Sequence, residues 1–275
     1  MKLSVIIITK NESENIVECL ESVYFADEII VVDSGSEDDT CMLARQAGAI
    51  VYQTTDWPGF GPQKNRALSY AKGQWVLSLD ADERISKHLA QEIKQLLALD
   101  NNSENIEPIY SAYEISRLSC YAGRWMQHAG WHPDYVLRLF QRKKARFSEA
   151  LVHESVRYDG PKGRLKGVIY HYPYDSADTH IQKMNHYSSA AAKALHERGK
   201  TISIPGVFFK MFWTFIRVYL IRRAFLDGKP GLMLALMAAT GNMFRYSKLW
   251  FLNEDINWKP ALPSQVAQKK KGDKR

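Results

Sequence analysis

Short apolar runs alternate with stretches of helical period along the first hundred residues. Leu3-Ser4-Val5-Ile6-Ile7-Ile8 is β-branched and nearly free of polar breaks, as a strand buried on both faces requires. The polar turn Thr9-Lys10-Asn11-Glu12 follows, and Ile16, Leu20 and Val23 then recur at helical spacing, with Ser13 or Asn11 available as N-cap. The pattern repeats at once. Glu28-Ile29-Ile30-Val31-Val32 predicts a strand, Asp33-Ser34-Gly35-Ser36 a turn, and Leu43, Ala44 and Ala47 a helix. Ala49-Ile50-Val51-Tyr52 predicts a short strand. Gly61-Pro62 opens a further helix through Ala67, Leu68 and Ala71; proline suits a first helical turn, where its missing N–H has no partner to lose. Trp75-Val76-Leu77-Ser78-Leu79 predicts a strand that runs into Asp80-Ala81-Asp82-Glu83. Such alternation indicates an α/β fold with a mainly parallel, doubly wound sheet. Ligands bind at the carboxyl ends of the strands in such sheets, and the polar clusters at residues 9–12, 33–36 and 80–83 occupy those ends.

The pattern is less regular in the middle of the chain. Residues 101–107 are polar and read as a surface loop. Ile109 to Phe147 is aromatic and basic, with Trp125, Trp131, Tyr135 and Phe140 among Arg117, Arg124, Arg138 and Arg142. Val152-His153-Glu154-Ser155 and the apolar run Val168-Ile169-Tyr170-His171-Tyr172 come next. From about residue 176 the period is helical, with Pro205 and Pro230 as breaks. No internal repeat is visible.

Composition narrows the class. Of 275 residues, 45% are apolar and 24% charged, ordinary values for a folded globular protein. The formal charge of +7 suits nucleic acid, anionic lipid or phosphorylated substrates. Cys19, Cys41 and Cys120 are far apart and lack metal-site spacing, so a reducing cytosol and no disulfide framework are expected. Leu3–Ile8 is too short for a signal peptide. The basic tail 269–275 reads as disordered, adding at most electrostatic attraction to a surface.

Asp80 and Asp82 carry the clearest chemistry. Two carboxylates at a strand end offer the hard oxygen ligands that Mg²⁺ and Mn²⁺ favour, and both ions also bind diphosphate oxygens. Acidic residues are also ordinary solvated turn formers. No Gly-x-Gly-x-x-Gly follows the first strand and no Walker loop is present, which argues against a dinucleotide enzyme or P-loop NTPase. Asp33 can accept a hydrogen bond from a base N–H or a ribose hydroxyl, or it can start an Asx-turn. Lys64 and Arg66 also fit as solvated helix charges. Trp125 and Trp131 fit either sugar stacking or the core. No nucleic-acid module is recognisable, so no nucleic-acid partner is expected.

Taken in order and spacing, Val5-Ile6-Ile7-Ile8-Thr9-Lys10-Asn11-Glu12, Val31-Val32-Asp33-Ser34-Gly35-Ser36 with Asp38 and Thr40, Gly61-Pro62-Gln63-Lys64-Asn65-Arg66-Ala67 and Asp80-Ala81-Asp82-Glu83 resemble the family 2 inverting glycosyltransferases of GT-A fold. Arg138-Leu139-Phe140, His153-Glu154 and His171-Tyr172 are similar to lipopolysaccharide inner-core β-1,4-glucosyltransferases, which transfer glucose from UDP-glucose to a heptose. The resemblance spans residues 3 to about 175. It implies that Thr9, Glu12 and Asp33 hold the uridine, that Asn11 also binds the nucleotide-sugar, and that Lys64 and Arg66 lie by the nucleotide or its phosphates. It further implies that Asp80 contacts the ribose or the metal's water shell, and that Asp82 ligates Mg²⁺ or Mn²⁺, with Asp80 and His171 as further metal candidates. An inverting transfer needs one base to deprotonate the acceptor hydroxyl. Glu154 is the candidate, His153 its partner and Glu149 its rival. The family's second acidic motif is often Glu-Asp and here reads His-Glu. His171 also fits a purely structural role.

The implied organisation is a GT-A catalytic domain at 1–175, with a nucleotide half 1–100 and an acceptor half 101–175, a helical appendage at 176–268 and the tail 269–275. Phe208, Phe209, Phe212, Trp213, Phe215, Ile216, Tyr219, Leu220 and Ile221 lie among Lys210, Arg217, Arg222 and Arg223. The uncharged run Gly231–Phe244 is shorter than the roughly 20 residues of a spanning helix. Neither segment reads as a membrane span. Both suit helices lying in a membrane interface, or a helix pair packed on the protein. The expected setting is cytoplasmic and peripheral on the inner membrane, with a UDP-sugar donor and a lipid-linked saccharide acceptor. A polyprenyl-phosphate acceptor and a catalytically silent sugar-nucleotide-binding membrane protein are the alternatives.

Overall fold

The computed structural model describes residues 1–99, 110–149, 155–254 and 256. The chain forms two compact units. Met1–Asp175 and Leu226–Gly231 make the first, and Ser176–Phe225 with the described residues from Leu232 onward make the second.

In the first unit, β1 (Leu3–Thr9), β2 (Glu28–Asp33), β3 (Ile50–Gln53) and β4 (Trp75–Asp80) alternate with α1 (Ile16–Ser22), α2 (Thr40–Gln46) and α3 (Phe60–Tyr70). Then come β5 (Glu83–Ile85), α4 (Lys87–Leu99), β6 (Ala112–Tyr121), β7 (Arg124–Trp125), β8 (Asp134–Gln141), β9 (Ala145–Phe147), β10 (Val156–Tyr158) and β11 (Lys162–His171). The main sheet runs β3-β2-β1-β4-β8-β6-β11-β5, with β7 paired to β6 and β9–β10 a separate ribbon. The sheet is mixed. β8 is antiparallel to β4 and β6, and β5 to β11. The other main strands run one way, so Thr9, Asp33, Gln53, Asp80, Tyr121 and His171 end along one edge.

That edge is curled. β5 follows β4 after the two residues Ala81 and Asp82, yet β8, β6 and β11 lie between them in the sheet. Four strand spacings in a flat sheet measure about 19 Å, whereas three Cα steps reach about 11 Å. The sheet therefore curls, and the side chains at the ends of β4, β5 and β8 converge.

Burial follows the period-two and helical patterns. Val5, Ile7, Val31, Leu77 and Leu79 pack against Ile16 and Leu20 of α1 and Leu89 and Ile93 of α4. Ile6, Ile30, Val32 and Val76 pack against Ala67 and Ala71, with Phe140 and Phe147. A Cβ at Gly167 would meet Leu89 Cα at 2.5 Å, so β11 and α4 approach closely only because that position is glycine. The start of α1 differs from expectation: it begins behind Asn15. Asn11 Oδ1 instead accepts from Glu37 N, and Ser13 N donates to Asp38, so both candidate caps are spent joining two loops.

In the second unit, α5 is Ala177–Glu197 and α6 is Ile204–Ile216, and α7 (Gly228–Asn253) belongs to it from Leu232 onward. Pro205 and Pro230 lie in the first turns of α6 and α7, so each starts a helix. The helices are tied by Asn242 Nδ2 to Thr214 Oγ1 at 2.7 Å, and by Lys248 Nζ to Asn185 and Ser188 of α5. The stretch Ile204–Ile221 has a mean hydropathy of 1.4 and is 17% buried. By length and composition it is long enough to cross a membrane, which the sequence pattern alone did not suggest. Phe208, Phe209, Phe212 and Trp213 are exposed on it.

Candidate active site

The ends of β1 and β2 form a polar hub. Asp33 is fully buried, and its Oδ1 accepts from Gly35 N and Ser36 N at 3.0 and 2.9 Å. Its Oδ2 accepts from Thr9 Oγ1 at 3.1 Å and from Ser36 Oγ. This is the Asx-turn. Burial alone would raise the Asp33 pKa; the donors from Ser36, Cys41 and Thr9 outweigh it and hold the carboxyl below its ordinary value. Asn11 N donates to Ser36 Oγ, and Glu12 N to Thr40 Oγ1, each at 2.8 Å. Glu12 carries its carboxylate to Asn15 Nδ2 at 3.0 Å. Asp38, against the opposing effect of burial, is brought down to about 2 by donors from Thr40 and Ser13. Thr9, Asn11, Glu12 and Asp33 are thus brought together. Gln63 closes the hub through Ser34 Oγ at 2.9 Å and Thr54 Oγ1 at 3.0 Å.

The acidic turn is clamped from two sides. Lys64 Nζ, almost fully buried, lies 3.0 Å from Asp80 Oδ1. Arg138 Nη2 lies 2.5 Å from Asp80 Oδ2 and 2.6 Å from Glu83 Oε1. Glu83 Oε2 accepts from the Asp80 N–H at 3.1 Å, and Arg117 bridges Glu83 to Asp134. Burial would raise the Asp80 pKa, but Arg138 and then Lys64 hold it well below the carboxylate range; Asp80 and Glu83 in turn raise Arg138. Arg138 reaches both carboxylates from a β-bulge. Leu139 pairs with Tyr113 and Leu137 with Glu114, so Arg138 has no cross-strand partner on β6. A bulge re-aims the extra side chain. Arg66, by contrast, turns away and forms a fork with Asp56 at 2.8 and 3.1 Å.

Asp82 meets His171. Its Oδ2 lies 3.5 Å from His171 Nε2, and the backbone of Tyr172 donates to Asp82 O at 3.0 Å. Ser119 Oγ lies 2.9 Å from His171 Nδ1. The tautomer in which Nδ1–H donates to Ser119 leaves the Nε2 lone pair facing Asp82. Among the described residues no group of three or more His, Cys, Asp or Glu gathers as a metal cage. One carboxylate and one imidazole nevertheless fit Mg²⁺ or Mn²⁺ bound together with substrate phosphates, since such ions keep waters and take few protein ligands. Asp80, with both oxygens held by cations, is the poorer ligand.

Residues 4–117 match the family model described as Glycosyl transferase family 2. An uncharacterized glycosyltransferase of Rickettsia typhi is 35% identical over 258 residues, covering 90% of this chain and 86% of the relative. The chain belongs to glycosyl transferase family 2. A "Lipopolysaccharide core biosynthesis glycosyltransferase LpsC" of Rhizobium meliloti is 30% identical over 90% of each chain. Among solved structures, S. aureus TarS 1–349 in complex with UDP is 17% identical, with TM-score 0.47 over 96% of this chain and 95% of that one. The sheet and flanking helices of this glycosyltransferase, with helices appended at the C-terminal side, are the expected GT-A architecture.

Two of the residues expected to do chemistry in this glycosyltransferase, His153 and Glu154, lie outside the described residues. The described residues before them pack on α3. Phe147 N and O bond both ends of the Asn65 amide, and the Phe147 ring lies 5.8 Å from Lys64 Nζ. Ser148 N donates to Ser155 O at 2.8 Å. Glu149, next to Ser148, is exposed. Reading the sequence missed roles for Gln63, Glu83, Ser119 and Arg138. The available signal for Arg138 was a charge inside the apolar run Val136-Leu137-Arg138-Leu139-Phe140.

Proposed function

We propose that this glycosyltransferase is an inverting, metal-dependent enzyme that moves glucose from UDP-glucose to a heptose of a lipopolysaccharide inner core. The observation that carries the reading is the Asp82–His171 pair at 3.5 Å. The lipopolysaccharide-core name of the Rhizobium meliloti relative supports the acceptor class. The uridine is received by Thr9, Asn11, Glu12 and the loop that Asp33 shapes, and Lys64, beside Asp80, adds positive charge on the diphosphate side, whereas Arg66 is taken by Asp56. Asp82 and His171 hold Mg²⁺ or Mn²⁺. An ion held there would supply neutralisation of the charge that builds on the leaving UDP. The acceptor hydroxyl oxygen attacks the anomeric carbon, the bond from that carbon to the diphosphate oxygen breaks, and the hydroxyl proton passes to Glu154. Arg138 and Lys64 keep Asp80 ionised and fix the turn on which Asp82 stands.

The test is a donor screen on a heptose-terminated core acceptor taken from a strain lacking this protein. UDP-glucose with Mn²⁺ or Mg²⁺ is expected to give a β-linked product, and chelation to stop transfer. Transfer from another nucleotide sugar, or none from any, overturns the donor assignment.

The exposed apolar face of α6 supports binding to the cytoplasmic face of the inner membrane, where a lipid-linked acceptor is found. Insertion of apolar side chains resists salt while charge attraction does not. The protein is expected to sediment with anionic vesicles and to be only partly released by high salt. Replacing Phe208, Phe209 and Phe212 with Ser should free it while UDP binding persists. Phe215 is left alone because its ring stacks on Tyr219 at 5.3 Å. A parent protein indifferent to vesicles contradicts the interfacial reading.

A further inference from the structure

An aromatic group that the transfer chemistry does not use lies beside the Asp82–His171 pair. Tyr121 ends β6 two residues past Ser119, so its ring leaves the same face as the hydroxyl that holds His171. Trp131 meets Tyr121 edge-on at 5.7 Å between centroids. Tyr174, three residues beyond His171, meets Tyr121 at 6.1 Å and Trp131 at 6.5 Å. Tyr121 is buried beneath, which pushes its phenol pKa up, whereas Trp131 and Tyr174 each keep part of their surface in water.

The loop that presents Trp131 is built for one shape. Ala129 and Gly130 both hold positive φ, 60° and 79°, a costly pair unless the surroundings fix them. Asp227, fully buried, does so. It accepts from Gln127 N at 3.3 Å, His128 N at 2.9 Å and His128 Nδ1 at 3.1 Å, with Arg124 Nε at 3.8 Å. Arg124 also donates to Leu226 O at 3.3 Å.

We propose that Trp131 and Tyr174, backed by Tyr121, form the platform on which a pyranose ring of the acceptor saccharide stacks, and that Asp227 is a positioning residue for the Trp131 loop. The inference rests on the reading of the protein as a transferase to a saccharide. Its position argues for the acceptor over the donor. Along the sheet edge the nucleotide hub stands at β1 and β2, the acidic turn follows β4, and Tyr121 and His171 end β6 and β11. Tyr121 therefore stands on the far side of β4 from the nucleotide hub, on the strand next to the one that ends in His171. A pyranose turns its C–H face to the negative face of an aromatic ring and its hydroxyls sideways. Polar groups suited to hydroxyls occur on neighbouring residues: His132, next to Trp131 in the chain, lies 3.5 Å from Arg117 O, and Arg117, on the same strand as Tyr121, pairs with Asp134. A few convergent polar groups around aromatic surface are what a small-ligand site requires.

The experiment compares the parent protein with Trp131→Ala, Trp131→Phe and Asp227→Asn, using a heptose-containing core oligosaccharide freed of lipid. Trp131→Ala is expected to raise the acceptor KM about tenfold, and Trp131→Phe to recover most of it. Asp227→Asn should fall between them. UDP affinity with Mn²⁺ and acceptor-independent UDP-glucose hydrolysis should stay within about twofold of the parent. Titration of the oligosaccharide should quench tryptophan fluorescence saturably in the parent and not in Trp131→Phe. An acceptor KM unchanged in folded Trp131→Ala overturns the platform. If the parent transfers no sugar to this oligosaccharide, the donor and acceptor reading fails separately, and the fluorescence comparison decides the platform alone. The same comparison decides if Trp131→Ala does not fold. An equal response in parent and Trp131→Phe, or none, is then the contradicting result.

Discussion

Arg138→Met is expected to lower stability by about 3 kcal/mol near neutral pH, the low end for breaking a buried ion pair, and to remove most turnover. The substitution keeps much of the volume and deletes the charge. Glu83, fully buried, loses its 2.6 Å partner. Asp80 loses one of two cations but keeps Lys64 and about a third of its side-chain exposure, which is why the low end applies. The pH dependence has a definite sign. In the parent, Asp80 is held below its ordinary value, so its contribution is complete above the unfolded pKa and is lost as pH falls through the folded one. Without Arg138 the folded pKa of Asp80 rises toward its ordinary value. The gap between parent and variant should therefore narrow as pH falls through the carboxylate range. Adding Glu83→Gln should restore part of the stability but not turnover, because the turn bearing Asp82 stays unpinned. Urea unfolding at neutral and acid pH measures the first effect, and steady-state kinetics the second. A variant with parental turnover sinks the positioning role.

Glu154→Gln should cut turnover by roughly 10²–10⁴ while UDP affinity barely changes. The change keeps shape and removes basicity, so only the proton transfer suffers. Glu149→Gln is the control. Glu149 is exposed, and its substitution should leave turnover close to parental. The reverse pair of results exchanges the two roles.

The nucleotide half of the fold was legible because its signals are local. Apolar runs such as Leu3–Ile8 bury two faces, and each ends in a polar cluster, so strand, turn and site edge could all be read in order. The acceptor half was not, because its geometry depends on distant pairings. A β-bulge places Arg138, and curling of the sheet brings Glu83 to it; neither is written in residue spacing. Asp33 shows the limit within the legible part: the same residue type serves a nucleotide or a turn, and only the donors from Gly35 and Ser36 reveal the turn. Arg66 and Lys64 stand two residues apart on α3, and only their partners, Asp56 and Asp80, separate their directions. Asp227 was invisible for a different reason: it holds a loop about a hundred positions earlier.

The most direct measurement is a calorimetric titration of UDP into the parent protein and Asp82→Ala, with and without Mn²⁺. The parent should bind UDP at least about tenfold more tightly with the ion, and Asp82→Ala should bind it equally with and without. UDP binding by the parent that ignores Mn²⁺ and Mg²⁺, or an undiminished Mn²⁺ effect in Asp82→Ala, would contradict a metal-dependent sugar-nucleotide transferase built on the Asp82–His171 pair.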